Sequence, residues 1–70
     1  MKNRKLYVAM KLAKEQLDIL RNEYVRLGSE CHRNNDFAGR DYWNERFFQL
    51  GLEIEKLDMD LRKLKEESES

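Results

Sequence analysis

The sequence predicts an all-α fold, an antiparallel hairpin of two long helices. Three observations lead to this prediction: two unbroken heptad patterns of apolar residues, a short polar segment between them, and no proline among 70 residues. Proline breaks helices, and the Asn-Gly and Asp-Gly pairs that favour tight β-hairpins are also missing. A chain of this length forms one domain at most, which we take as residues 1–70.

The first helix is predicted from about residue 3 to residue 33. Eight residues in this segment follow one another at alternating spacings of four and three, which is the period of a helix face that packs on another helix. They are Leu6, Met10, Ala13, Leu17, Leu20, Tyr24, Leu27 and Cys31. We expect this face to be buried against the second helix.

A turn at about residues 34–36 and a second helix at about 36–66 are predicted next. Asn34, Asn35 and Asp36 favour turns and helix caps, and either Asn35 or Asp36 suits the N-cap of the second helix. The second heptad pattern consists of Trp43, Phe47, Leu50, Ile54, Leu57, Leu61 and Leu64. Residues 67–70 are acidic and small, so we expect a frayed tail.

A short turn places the two helices side by side in opposite directions. Leu20 then lies level with Leu50. Two ion pairs are predicted between the helices: Lys14 with Asp58, and Glu23 with Arg46. The alternative, one continuous helix of about 100 Å, requires the Asn-Asn-Asp segment to stay helical, which its propensities disfavour.

A second set of apolar residues lies away from the two heptad faces. Three are on the first helix and three are at similar heights on the second: Val8, Leu12, Ile19, Phe48, Leu52 and Met59. A lone hairpin of this size buries too little surface to offset the ordering of its chain. We therefore expect these residues to contact a second copy in a homodimeric four-helix bundle, or a different protein. The remaining alternative is that they are ordinary exposed hydrophobic residues.

The end of the hairpin near the turn is rich in aromatic and arginine side chains. Five of the seven aromatic residues lie between residues 37 and 48, and Trp, Tyr and Arg are enriched at binding hot spots. The possible binding surface at this tip comprises Arg33, Phe37, Arg40 and Tyr42. The alternative is that these side chains close the end of the hairpin.

The sequence contains no pattern typical of catalysis or of a bound cofactor. Cys31 and His32 are neighbours on a helix and point about 100° apart, so they do not form a nucleophile and base pair. One cysteine and one histidine do not make a zinc site. We therefore expect no enzyme activity, no cofactor and no metal, and we interpret Cys31 as a small core residue.

The distribution of charge and the length of the apolar runs indicate which partners and which cellular compartment to expect. Fourteen basic and fourteen acidic residues cancel, which argues against nucleic acid as a partner, although residues 1–14 carry five basic side chains and no acidic one. No apolar run approaches the roughly 20 residues that span a membrane. The run after the basic N-terminus is too short for a signal peptide, and one cysteine forms no internal disulfide, so we expect a cytoplasmic protein.

These observations predict a non-catalytic protein–protein interaction module. It is a small self-associating helical hairpin that acts as an adaptor, an inhibitor or a regulator of a partner protein. Two alternatives stay open: a small nucleic-acid-binding protein that uses the basic N-terminal helix, and a structural coiled-coil subunit of a larger assembly.

Overall fold

The protein is a hairpin of two antiparallel helices. The computed structural model describes residues 3–69, with side chains for residues 3–67. Helix α1 spans Arg4–Arg33 and helix α2 spans Phe37–Glu69, and the two pack against each other along their length. The molecule is 53 Å long, about half the length of one continuous helix of 70 residues. The predicted helical hairpin is therefore confirmed.

The turn between the helices is built on Asn35, whose φ of 59° lies in the left-handed region. Asparagine adopts this conformation more readily than other residues that carry a side chain. The Asn35 N–H donates to the His32 carbonyl at 3.1 Å, and the Asp36 N–H donates to the Cys31 carbonyl at 2.8 Å. This pair of hydrogen bonds is a Schellman motif, which satisfies the carbonyls of Cys31 and His32 in the last turn of α1 and ends the helix.

Helix α2 begins directly after this motif because Asp36 is its N-cap. Its Oδ1 atom accepts a hydrogen bond of 3.0 Å from the backbone N–H of Gly39, which satisfies one of the unpaired N–H groups of the first turn. The side chains of Asp36 and Cys31 lie close to the α-carbon of Gly39. A methyl group at Gly39 would overlap the Asp36 carboxylate and come within 2.9 Å of Cys31 Sγ.

Helix α2 ends later than the sequence predicts. The expected end was near residue 66 with a frayed tail at residues 67–70, but the helix continues to Glu69. Glutamate has a high helix propensity, and no glycine or proline interrupts this stretch. Ser70 lies outside the described residues.

The face of α2 that packs on α1 is the predicted one. Leu50, Ile54 and Leu61 are the buried hydrophobic residues of the described chain, at 6–7% exposure. Trp43, Leu57 and Leu64 are half-buried on the same face. Phe47 is 38% exposed, and the guanidinium of Arg21 lies 5.7 Å from its ring centre.

The face of α1 that packs on α2 differs from the predicted one. Met10, Leu17, Tyr24 and Cys31 lie at the interface as expected, whereas Leu6 is 53% exposed, Leu20 is 39% exposed and Ala13 is also exposed. The residues that follow Leu6, Ala13 and Leu20 take the interface positions instead, whereas Leu27 is half-buried, as expected, beside Gly28. The α1 seam, as we call this row, consists of Tyr7, Met10, Lys14, Leu17, Arg21, Tyr24, Gly28 and Cys31.

Contacts with α2 explain why the seam of α1 is turned away from the predicted row. Gly28 is buried, and its α-carbon faces Trp43, so the backbones approach closely near the turn. The Tyr24 and Trp43 rings lie 5.4 Å apart. Lys14 and Arg21 occupy seam positions with their aliphatic stems, while their charged ends reach groups on α2 at the edge of the interface.

Candidate interaction surfaces

An ion pair between Lys14 and Asp58 joins the two helices far from the turn. Lys14 Nζ lies 2.9 Å from Asp58 Oδ1, as predicted, and Arg62 contacts Asp58 Oδ2 at 3.0 Å from the next turn of α2. The second predicted pair is wrong. Glu23 binds Arg26 on its own helix, and Arg26 also binds Glu30 at 2.7 Å. Arg46 lies instead over the Tyr42 ring, 5.4 Å from its centre.

The Lys14–Asp58 pair is expected to make the free energy of unfolding depend on pH in the acidic range. The hydrogen bond from Lys14 and the charge of Arg62 hold the pKa of Asp58 below its ordinary value of 3.8. A carboxyl whose pKa is lowered by folding adds stability above its ordinary pKa, and that stability is lost as the pH falls through the folded value. We therefore expect the free energy of unfolding to decline as the pH drops from about 5 to about 3.

Urea denaturation at a series of pH values measures this dependence. Asp58→Asn is expected to flatten it, and Asp60→Asn, at an exposed position on the same helix, is the matched control. An unchanged acid dependence in Asp58→Asn would assign the effect to other carboxyls. Glu23 is one of these, since its hydrogen bond with Arg26 also lowers its pKa.

The six residues predicted to contact a partner are all exposed. Their exposure ranges from 45% at Val8 to 65% at Phe48, and the set comprises Val8, Leu12, Ile19, Phe48, Leu52 and Met59. Leu12 and Ile19 lie on the side of α1 opposite its seam, and Leu52 and Met59 lie on the side of α2 opposite its seam. The two groups therefore point away from each other across the hairpin.

A further apolar surface lies on α1, and sequence reasoning did not identify it. Leu6, Ala9, Ala13 and Leu20 are exposed on one side of this helix, next to Leu12 and Ile19. Together these six residues and Gln16 form what we call the outer face of α1. Leu6, Ala13 and Leu20 were predicted to pack on α2, so this face became visible only once the rotation of α1 was known.

The tip divides into two clusters. Arg40 lies 5.0 Å from the Phe37 ring centre and 3.3 Å from His32 Nδ1, and the Phe37 and His32 rings meet edge to face. Tyr42 packs on Trp43 and under Arg46 instead. Phe37 and Tyr42 are both about half exposed.

Arg33 shares a cleft with Arg40. That cleft runs between the helices on the side that includes Val25 and Phe47. The structure therefore brings Arg33, Phe37 and Arg40 to one end of the hairpin and places Tyr42 in a separate cluster.

The chemistry of the cysteine is that of a packed thiol. Partial burial raises the pKa of Cys31, and the charge of nearby Asp36 raises it further. Cys31 is therefore a protonated thiol at neutral pH, whereas nucleophilic cysteines have a lowered pKa. Within residues 3–69, no group of three or more His, Cys, Asp or Glu side chains is arranged to hold a metal ion.

Comparison with known proteins adds no relative. No protein-family model, no curated protein and no solved structure matches this chain. Neither of the two helices in the described part of the chain is long and apolar enough to cross a membrane.

Proposed function

We propose that this protein is a non-catalytic protein–protein interaction module, a helical hairpin that associates with itself and acts as an adaptor, an inhibitor or a regulator of a partner protein. The observation that carries this proposal is that many more large hydrophobic residues are exposed than buried. Three hydrophobic residues are buried in the described part of the hairpin, whereas twelve large ones are exposed. A core this small leaves a lone hairpin with little stability, because two long helices lose much conformational entropy on folding.

Association with another chain supplies the missing burial. The outer residues form two exposed groups on opposite sides of the hairpin, so a contact with one chain can bury either group: Val8, Leu12 and Ile19 on α1, or Phe48, Leu52 and Met59 on α2. Burial of apolar side chains contributes about 1.5–3 kcal/mol each before the entropy of association is subtracted. A homodimer would form a four-helix bundle, and the tip with Phe37 and Arg40 would remain free for a different protein.

The nucleic-acid alternative has less support. Arg4, Lys5 and Lys11 are exposed, but Lys14 is engaged by Asp58. Three dispersed cations, with the half-buried Tyr7 as the aromatic side chain among them, form a weak phosphate-binding surface. The alternative of a structural coiled-coil subunit predicts the same apolar contacts, and it differs only in the partner that makes them.

Molar mass and melting temperature against protein concentration test self-association. We expect about twice the chain mass of 8.5 kDa at tens of micromolar. We also expect a melting temperature that rises with concentration, since each tenfold increase adds about 1.4 kcal/mol to the stability of a dimer. Leu12→Glu should shift the mass toward one chain, and Gln49→Glu, at an exposed polar site, is the matched control. A mass of 8.5 kDa with a constant melting temperature would contradict the proposal.

A further inference from the structure

The outer face of α1 contains a second heptad row. Leu6, Ala9, Ala13, Gln16 and Leu20 follow one another at spacings of three, four, three and four, and all five are exposed. Each lies one residue before a member of the α1 seam, so the row is turned by about 100° from α2. A helix in a four-helix bundle has two neighbours at about this angle, one of which α2 provides.

The row is suited to pack against a second copy of itself. If two α1 helices run antiparallel and cross at Ala13, Leu6 of each copy meets Leu20 of the other, and Ala13 meets Ala13. Small residues at the centre allow the two backbones to approach closely, and leucines close both ends. Beyond Leu20, the Glu23, Arg26 and Glu30 network ends the apolar surface.

Charge selects the antiparallel direction. Residues 3–13 carry Arg4, Lys5 and Lys11 and no acidic side chain, whereas residues 15–23 carry Glu15, Asp18 and Glu23 against Arg21. An antiparallel pair places the basic half of each copy beside the acidic half of the other, and a parallel pair places like charges together.

The neighbouring surface of α2 confines the apolar contact to α1. On this side of the hairpin α2 presents exposed polar residues, among them Arg46, Glu53, Lys56 and Lys63. A partner with a broad apolar surface would leave these charges unpaired. A second copy brings Lys56 and Lys63 together with Glu53 and Asp60, residues of opposite charge.

From this geometry we infer that two copies associate through α1, antiparallel, with a two-fold axis beside Ala13. Leu12 and Ile19 flank the contact, and Phe48, Leu52 and Met59 of α2 stay outside it. This inference rests on the proposed self-association and adds the surface and the direction of packing.

Charge-swap pairs at two alanines test the inference. Ala13→Glu and Ala13→Lys each place like charges at the two-fold axis, so each variant alone should dissociate with at least about a tenfold higher dissociation constant. An equimolar mixture of the two should recover association, because Glu at position 13 then faces Lys at position 13. Ala9→Glu and Ala9→Lys are the matched control pair. In the antiparallel arrangement residue 9 of one copy does not face residue 9 of the other, so a mixture of these two variants should not recover association.

Sedimentation equilibrium and circular dichroism on the same samples distinguish the outcomes. Both alanines are exposed in the hairpin, so the helical signal should persist in the dissociated variants. Recovery by both mixtures would mean parallel packing and overturn the antiparallel arrangement. A dimer that every variant leaves intact would overturn the α1 contact while self-association stands, whereas a monomeric parent chain would overturn both.

Discussion

Leu50→Ala is expected to lower the free energy of unfolding by about 2–5 kcal/mol, the range for truncation of a buried leucine. Leu50 is 7% exposed at the centre of the interface between the helices. Such a loss is a large part of the stability of a domain this small. At one fixed protein concentration, urea denaturation followed by circular dichroism should show an earlier transition, or no folded baseline at all.

Leu52→Ala is the matched control, because the same truncation is made two residues away at a side chain that is 52% exposed. We expect its effect to stay within about 0.5 kcal/mol. Leu20→Ala separates the two rotations of α1. Truncation of a leucine in the seam would lower the free energy of unfolding as much as Leu50→Ala does. Because Leu20 is exposed, we expect Leu20→Ala to lower it less and to act mainly through association with another chain. Equal losses for Leu50 and Leu20 at every protein concentration would contradict the observed rotation.

Gly39→Ala is expected to destabilise the hairpin by about 1–3 kcal/mol, although alanine has the higher helix propensity. The added methyl group overlaps the Asp36 carboxylate that caps α2 and presses on Cys31 Sγ. Relief of this overlap breaks the cap, moves Cys31, or does both. Thermal denaturation of the variant at one fixed concentration measures the net effect.

Gly51→Ala is the matched control for the same substitution. A methyl group at Gly51 meets nothing within 4 Å, so the gain in helix propensity of about 1 kcal/mol should appear as added stability. The two variants should therefore move the melting temperature in opposite directions. In an Asp36→Ala background, Gly39→Ala should cost less, because its main steric partner is gone. Two stabilising glycine variants would mean that Gly39 is not constrained by Asp36 and Cys31.

The turn and the inner face of α2 were predictable from sequence because both depend on local chemistry. Asn35 tolerates a left-handed conformation and Asp36 caps a helix in many contexts. Leu50, Ile54 and Leu61 stand in the one row of α2 that is apolar along its whole length, so no other rotation of this helix buries as much. The full constraint on Gly39 was not predictable, since one of its two close neighbours, Cys31, lies eight residues earlier on the other helix.

The sequence by itself determined two helices, their antiparallel direction, the position of the turn, the Lys14–Asp58 pair and the buried face of α2. Only the tertiary structure decided which side of α1 faces α2. Helix α1 carries two apolar rows that interleave along the same stretch of sequence. Hydrophobicity alone favours the row with Leu6, Ala13 and Leu20. Contacts specific to α2 favour the other row: close approach at Gly28, stacking of Tyr24 on Trp43, and charged ends of Lys14 and Arg21 that reach Asp58 and Phe47. Because burial is a property of the pair of helices rather than of one, a second apolar row of α1 is left exposed.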